Sequence, residues 1–116
     1  MDEFDIPIFK KTYELYKTFY GYRATAPKTD RYTIWQRAEE MLLNLFHGIL
    51  LASRSYKTVK VTLLEKASTD LNLFRVFLRL MKDVKSIDTK KYVALESLVD
   101  EIGRMLGGWL RSSKER

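Results

Sequence analysis

Three glycines set inside a helical pattern constrain this chain more than any other feature. In the stretch Asp100-Glu101-Ile102-Gly103-Arg104-Met105-Leu106-Gly107-Gly108-Trp109-Leu110, the apolar residues Ile102, Leu106 and Trp109 continue Tyr92, Leu95 and Val99 at alternating spacings of three and four. That spacing is the mark of one buried helical seam. Each glycine weakens such a helix by about 1 kcal/mol relative to alanine. Gly103 and Gly107 stand four apart on one face, so the compensation this predicts is close packing, with a neighbouring backbone or bulky ring approaching where a side chain would block it. The alternative is that Gly107-Gly108 frays the last turn.

Upstream lie three more periodic segments. With helices at about 6–22, 33–53, 57–84 and 89–110 and short breaks between them, the pattern predicts one all-α domain over residues 1–116. The architecture expected is an antiparallel up-down-up-down four-helix bundle. The first segment has Asp5 as its expected N-cap and Pro7 in its first turn, where a missing N–H does no harm. Its apolar positions read as Phe9, Tyr13, Tyr16, Phe19 and Tyr20, opposite Lys10, Lys11, Glu14 and Lys17. Tyrosines so placed are expected to bury their rings and leave the hydroxyls at a wet edge. Pro27 and its small polar neighbours make Arg23 to Tyr32 a turn.

Thr33 and Gln36 have the spacing of a capping box for the second helix, whose seam is Trp35, Ala38, Leu42, Leu45, Ile49 and Ala52. The third helix, starting at Tyr56 or Thr58, has its seam at Leu64, Ala67, Leu71, Phe74, Leu78 and Met81. Leu73, Phe77, Leu80 and Val84 form a second stripe beside it. Two apolar stripes exceed what a bundle core requires and point to self-association. Asp88, or alternatively Ser86, caps the fourth helix, which is expected to end near Leu110 with Arg111 to Arg116 frayed.

Little here serves catalysis. No cysteine is present, which excludes disulfides, thiolate metal sites and cysteine nucleophiles. His47 is the single histidine and has no second His or Cys to share a metal with, so a structural or surface role is expected. Glu39-Glu40 and Asp100-Glu101 are adjacent pairs, which on a helix point roughly 100° apart and do not share one site. Neither an enzyme nor a cofactor is expected. The acidic start Met1-Asp2-Glu3-Phe4-Asp5 lacks the basic and apolar regions of a secretion signal, and no apolar run is long enough to span a bilayer. A soluble, cytoplasmic protein without a membrane partner or small-molecule substrate is therefore expected.

The net charge of +6 favours a polyanionic partner. Seven basic and three acidic residues lie between Lys57 and Lys85. Arg75, Arg79 and Lys82 stack on one line, a geometry suited to tracking a phosphate backbone. These three are the expected phosphate contacts, helped by Lys60 and Lys66, with Arg104 in the glycine stretch as a further candidate. The alternative is an ordinary solvated helix face.

The stretch from Asp100 to Leu110 resembles the C-terminal signature of the accessory variability determinant (Avd) proteins of diversity-generating retroelements. Ala26-Pro27-Lys28, Arg31-Tyr32-Thr33-Ile34, Gln36-Arg37, Leu78-Arg79-Leu80 and Lys91-Tyr92 resemble the same family in order along the chain. The wider relatives are small four-helix-bundle proteins, including those encoded by intervening sequences in bacterial large-subunit ribosomal RNA genes. The resemblance implies a non-enzymatic partner of a reverse transcriptase: a barrel-like homopentamer whose basic surface engages RNA or DNA and the polymerase, supporting adenine-directed mutagenic copying. It marks Lys28, Arg31, Arg37, Arg79, Arg104 and Trp109 as motif positions, with Gly103 and Gly107 structural. An oligomeric adaptor working through protein–protein contacts is the alternative.

Overall fold

The computed structural model describes residues 6–115. Four long helices, α1 (Pro7–Arg23), α3 (Ile34–Ser53), α4 (Lys57–Asp83) and α5 (Thr89–Lys114), form a four-helix bundle, and one turn of helix, α2 (Lys28–Arg31), lies in the connection after α1. Contacts close a ring in which α1 packs on α3, α3 on α4, α4 on α5 and α5 on α1. At 1.5 Å per residue α4 is about 40 Å long, most of the molecule's 47 Å length, so its ends mark the two ends of the bundle.

The seams of α3 and α4 are buried as their spacing requires. Trp35, Ala38, Leu42, Leu45, Ile49 and Ala52 meet Leu64, Ala67, Leu71, Phe74, Leu78 and Met81 in one core, joined from α5 by Leu95, Val99, Ile102 and Leu106. Tyr92 and Trp109, at the ends of the α5 seam, are half-buried.

In α1 the buried face differs from the aromatic one. It consists of Ile8, Thr12, Leu15 and Phe19, while Phe9 and Tyr16 are half-buried and Tyr13 and Tyr20 lie exposed. Thr12 is tolerated inside because its hydroxyl donates to the Ile8 carbonyl, 2.8 Å away, leaving its methyl to pack. Phe19 stacks on Trp35 at 4.8 Å between centroids and meets Phe74 edge-on.

Helix ends add further corrections. Asp5 lies outside the described residues. Ile6 occupies the N-cap position of α1 without a side-chain cap, and Pro7 opens the helix as expected. Thr33 stands at the N-cap of α3, but no capping box forms, because its hydroxyl turns back to the Thr29 carbonyl at 3.1 Å. Asp88 caps α5 by accepting the Lys91 N–H at 2.8 Å. Gly107 and Gly108 neither end nor fray α5, which runs on to Lys114, where that lysine pairs with Glu65 of α4.

Nor do the glycines of α5 admit a close neighbour among the described residues. A Cβ at Gly103 would sit 3.6 Å from Arg75 Nη2 and 3.7 Å from Leu71 Cδ2, ordinary contact distances. Among the described residues it would meet only Arg111 at Gly107, and nothing within 4 Å at Gly108. The second stripe on α4 also stays largely uncovered, with Leu73, Leu80 and Val84 exposed, Phe77 half-buried and Val76 62% exposed between them. No helix among the described residues is long and apolar enough to cross a membrane.

Candidate functional site

The line of cations on α4 is built as its spacing predicts, but each member has a partner. Arg75 is half-buried and its Nη1 donates to Glu96 at 3.2 Å and to Asp100, both on α5. Arg79 pairs with Asp83 one turn on, at 3.2 Å. Among the described residues Lys82 has no carboxylate partner; its ammonium stands 4.9 Å from the ring centroid of Tyr92, a cation–π contact. Burial first, and then the Glu96 carboxylate that accepts from its hydroxyl, holds the Tyr92 phenol above its ordinary pKa. The ring under Lys82 is thus neutral. Three carboxylates face two arginines here, so the line carries little net field.

The other expected contacts do not join this line. Lys60 lies 22 residues before Lys82, about 33 Å along the helix, in a notch with Lys57, Trp109, Ser112 and Ser113. Lys66 pairs with Asp70 at 3.0 Å, and Arg104 is exposed on α5. Asp100 and Glu101 diverge as adjacent helical residues should, the first to Arg75 on α4 and the second to Lys11 on α1 at 3.1 Å. His47 is exposed, and no cluster of metal-ligating side chains occurs among the described residues.

The motif positions divide by task. Arg31 closes the α1 connection: its Nε donates to the Ala26 carbonyl at 3.0 Å and its Nη2 to that of Ala24 at 2.9 Å. Those bonds satisfy carbonyls left open where α1 ends, which makes Arg31 a structural residue. Lys28 is exposed on α2, and Arg37 is exposed beside a shallow notch shared with Tyr32, Ile34 and Phe77. Trp109 is half-buried between the Lys57–Lys60 notch and an apolar one formed with Ile6, Ile8 and Met105.

A cleft of about 710 Å3 opens at the end of the bundle where the α1–α3 connection meets the α4–α5 turn. Pro27 and Thr25 form one wall; Lys82, Lys85, Asp88 and Lys91 line the other. Lys91 Nζ donates to Thr25 Oγ1 at 2.7 Å and stands 5.5 Å from the Tyr22 ring centroid. Lys85 has φ of 63°, the only positive φ outside glycine among the described residues. It is the left-handed residue of a Schellman turn, in which Ser86 N–H reaches Met81 O at 2.7 Å and Lys85 N–H reaches Lys82 O at 3.0 Å. The sequence signals for this site are dispersed: Lys82 and Lys85 close one helix, Lys90-Lys91 open the next, and only the turn brings them beside Thr25.

Residues 7–113 match the model of the bAvd-like family. No curated protein matches the chain.

Proposed function

The chain belongs to the bAvd-like family, and on that premise we propose that it is a non-enzymatic, nucleic-acid-binding accessory protein. In this reading it associates in the cytoplasm with a retroelement reverse transcriptase and its template RNA or cDNA, and supports mutagenic retrohoming. It acts as a homo-oligomer, a pentamer by resemblance to the family. The observation that carries the reading is the extent of the family match, which takes in every stretch that carries the resemblance and all of the four long helices but the last residue of α5. A match of that extent concerns the whole bundle rather than one stretch of it.

Other features support its parts. The +6 charge suits a polyanion, and the exposed stripe of Leu73, Val76, Leu80 and Val84 suits a protein neighbour. An antiparallel up-down-up-down course is supported by contacts that run in opposite chain directions. Lys11 meets Glu101 while Thr25 meets Lys91, and Glu65 meets Lys114 while Arg75 meets Glu96. The test is solution mass by light scattering, with and without a short structured RNA at low and moderate salt, followed by co-purification with the reverse transcriptase. The expected result is an oligomer that forms a salt-sensitive RNA complex and retains the polymerase. A monomer indifferent to both overturns the reading.

One observation favours a second reading, an oligomeric adaptor acting through protein–protein contacts. The pairing of Arg75 and Arg79 with Glu96, Asp100 and Asp83 leaves that face nearly neutral beside the apolar stripe. An oligomer that ignores RNA at low salt is the outcome that selects it.

A further inference from the structure

Most cations with partners along α4 and α5 are held by carboxylates: Arg75 by Glu96 and Asp100, Arg79 by Asp83, Lys66 by Asp70 and Lys114 by Glu65. A phosphate reaching one of these must first displace a carboxylate, so one ion pair is exchanged for another and little is gained. Lys82, Lys85 and Lys91 differ. Among the described residues none of the three forms an ion pair, and all three line the cleft at the end of the bundle.

Uncharged groups position two of them. The Tyr92 ring lies under Lys82, and the Thr25 hydroxyl and Tyr22 ring hold Lys91. A ring or a hydroxyl fixes an ammonium without cancelling its charge, and the single bond to Thr25 leaves Lys91 with N–H donors to spare. Lys85 is brought to the cleft by a left-handed turn position that glycine would occupy without strain. The acid in the wall, Asp88, accepts the Lys91 backbone N–H.

We propose that this cleft is a phosphate-binding site that takes the phosphodiester backbone of a nucleic acid. The proposal rests on the reading that the protein binds nucleic acid, and it moves the contact from the arginine line to the end of the bundle. A backbone is favoured over a lone nucleotide for two reasons. The segments 23–32 and 82–91 together carry seven cations against three carboxylates, a positive field extending beyond the cleft to exposed Lys28 and Lys90. In addition, among the described residues no aromatic ring lines the cleft to hold a base.

The test is fluorescence anisotropy of a labelled single-stranded RNA across a salt series, using the full chain. Lys82→Met, Lys85→Gly and Lys91→Met are combined, methionine keeping the stems that cover Tyr92 and Tyr22. The combined variant is expected to bind on the order of tenfold more weakly, with a log–log salt slope shallower by about 2, from three contacts at about 0.7 each. Lys85→Gly alone is expected to weaken binding while raising the melting temperature, opposite changes that a folding defect does not produce. That single variant decides the matter if the combined one is unstable. Arg75→Met with Arg79→Met is expected to leave affinity nearly unchanged. If instead the arginine variant loses binding and the cleft variants keep it, the cleft assignment is overturned and the nucleic-acid reading stands. If uridine monophosphate competes as well as the oligonucleotide at equal phosphate concentration, the site holds a single phosphate and the backbone proposal fails. If the wild-type chain does not bind RNA at low salt, both fall.

Discussion

The indole Nε1–H of Trp35 donates to the hydroxyl of Ser86 across 2.7 Å, with both side chains buried and 51 residues apart in the chain. The bond ties the start of α3 to the α4–α5 turn and so fixes one wall of the lysine cleft. Ser86→Ala leaves the indole N–H buried without that acceptor, at a cost of about 1–3 kcal/mol. Urea unfolding monitored by tryptophan fluorescence measures it. The double variant with Trp35→Phe is expected to cost less than the two single changes together, because the orphaned donor is then gone. Strict additivity would mean that the bond contributes nothing.

Tyr16 gives the bundle an alkaline signature. Burial, and then its hydrogen bond to the Glu39 carboxylate, pushes its phenol from 10.0 up to about 12. The folded state therefore holds the proton more tightly than the unfolded chain, and the stability this contributes is complete below pH 10 and lost as pH rises through about 12. The stability difference between the wild type and Tyr16→Phe is expected to shrink across that interval when urea midpoints are compared. In a phenolate absorbance titration, Tyr16 is expected to ionise later than it does in Glu39→Gln, where the neighbouring charge is absent.

The exposed stripe on α4 gives a test of self-association. Val76 and Leu80 are four residues apart and 62% and 40% exposed, so Val76→Glu with Leu80→Glu is expected to cost the folded protomer little. If copies of the chain meet on this face, two buried charges per copy are prohibitive, and the solution mass falls while the helical circular dichroism is unchanged. An unchanged mass places any self-association elsewhere.

Sequence legibility followed the chemistry of each face. The α3 and α4 seams are apolar at regular spacing, aliphatic except for Trp35 and Phe74 and free of tyrosine, and every residue named in them is buried. In α1 tyrosines misled, because an amphipathic ring suits an exposed position such as Tyr20 as well as a core edge, and because a buried Thr12 is visible only once its bond to Ile8 O is known. The arginine line was legible as a line; its neutralisation was not, since Glu96 and Asp100 lie 21 and 25 residues beyond Arg75 and reach it only through packing of α5 on α4. Lys85 gave no local sign of its positive φ, because the usual mark of that turn is glycine or asparagine.

The glycines of α5 supply the sharpest remaining test. None has positive φ, so alanine brings no backbone strain at these positions. Among the described residues a Cβ at Gly108 meets nothing within 4 Å, and one at Gly103 makes ordinary contacts with Leu71 and Arg75. Within a single chain, Gly108→Ala is therefore expected to stabilise α5 by about 1 kcal/mol, through the entropy that glycine loses on folding. Thermal melts at low protein concentration measure this, and light scattering at high concentration shows whether assembly is affected. A gain at low concentration with unchanged mass means the Gly108 face is open to solvent in the assembled protein. A gain at low concentration that turns into a loss as the chain self-associates means another molecule rests against that backbone, and the compensation for glycine lies between molecules rather than within one.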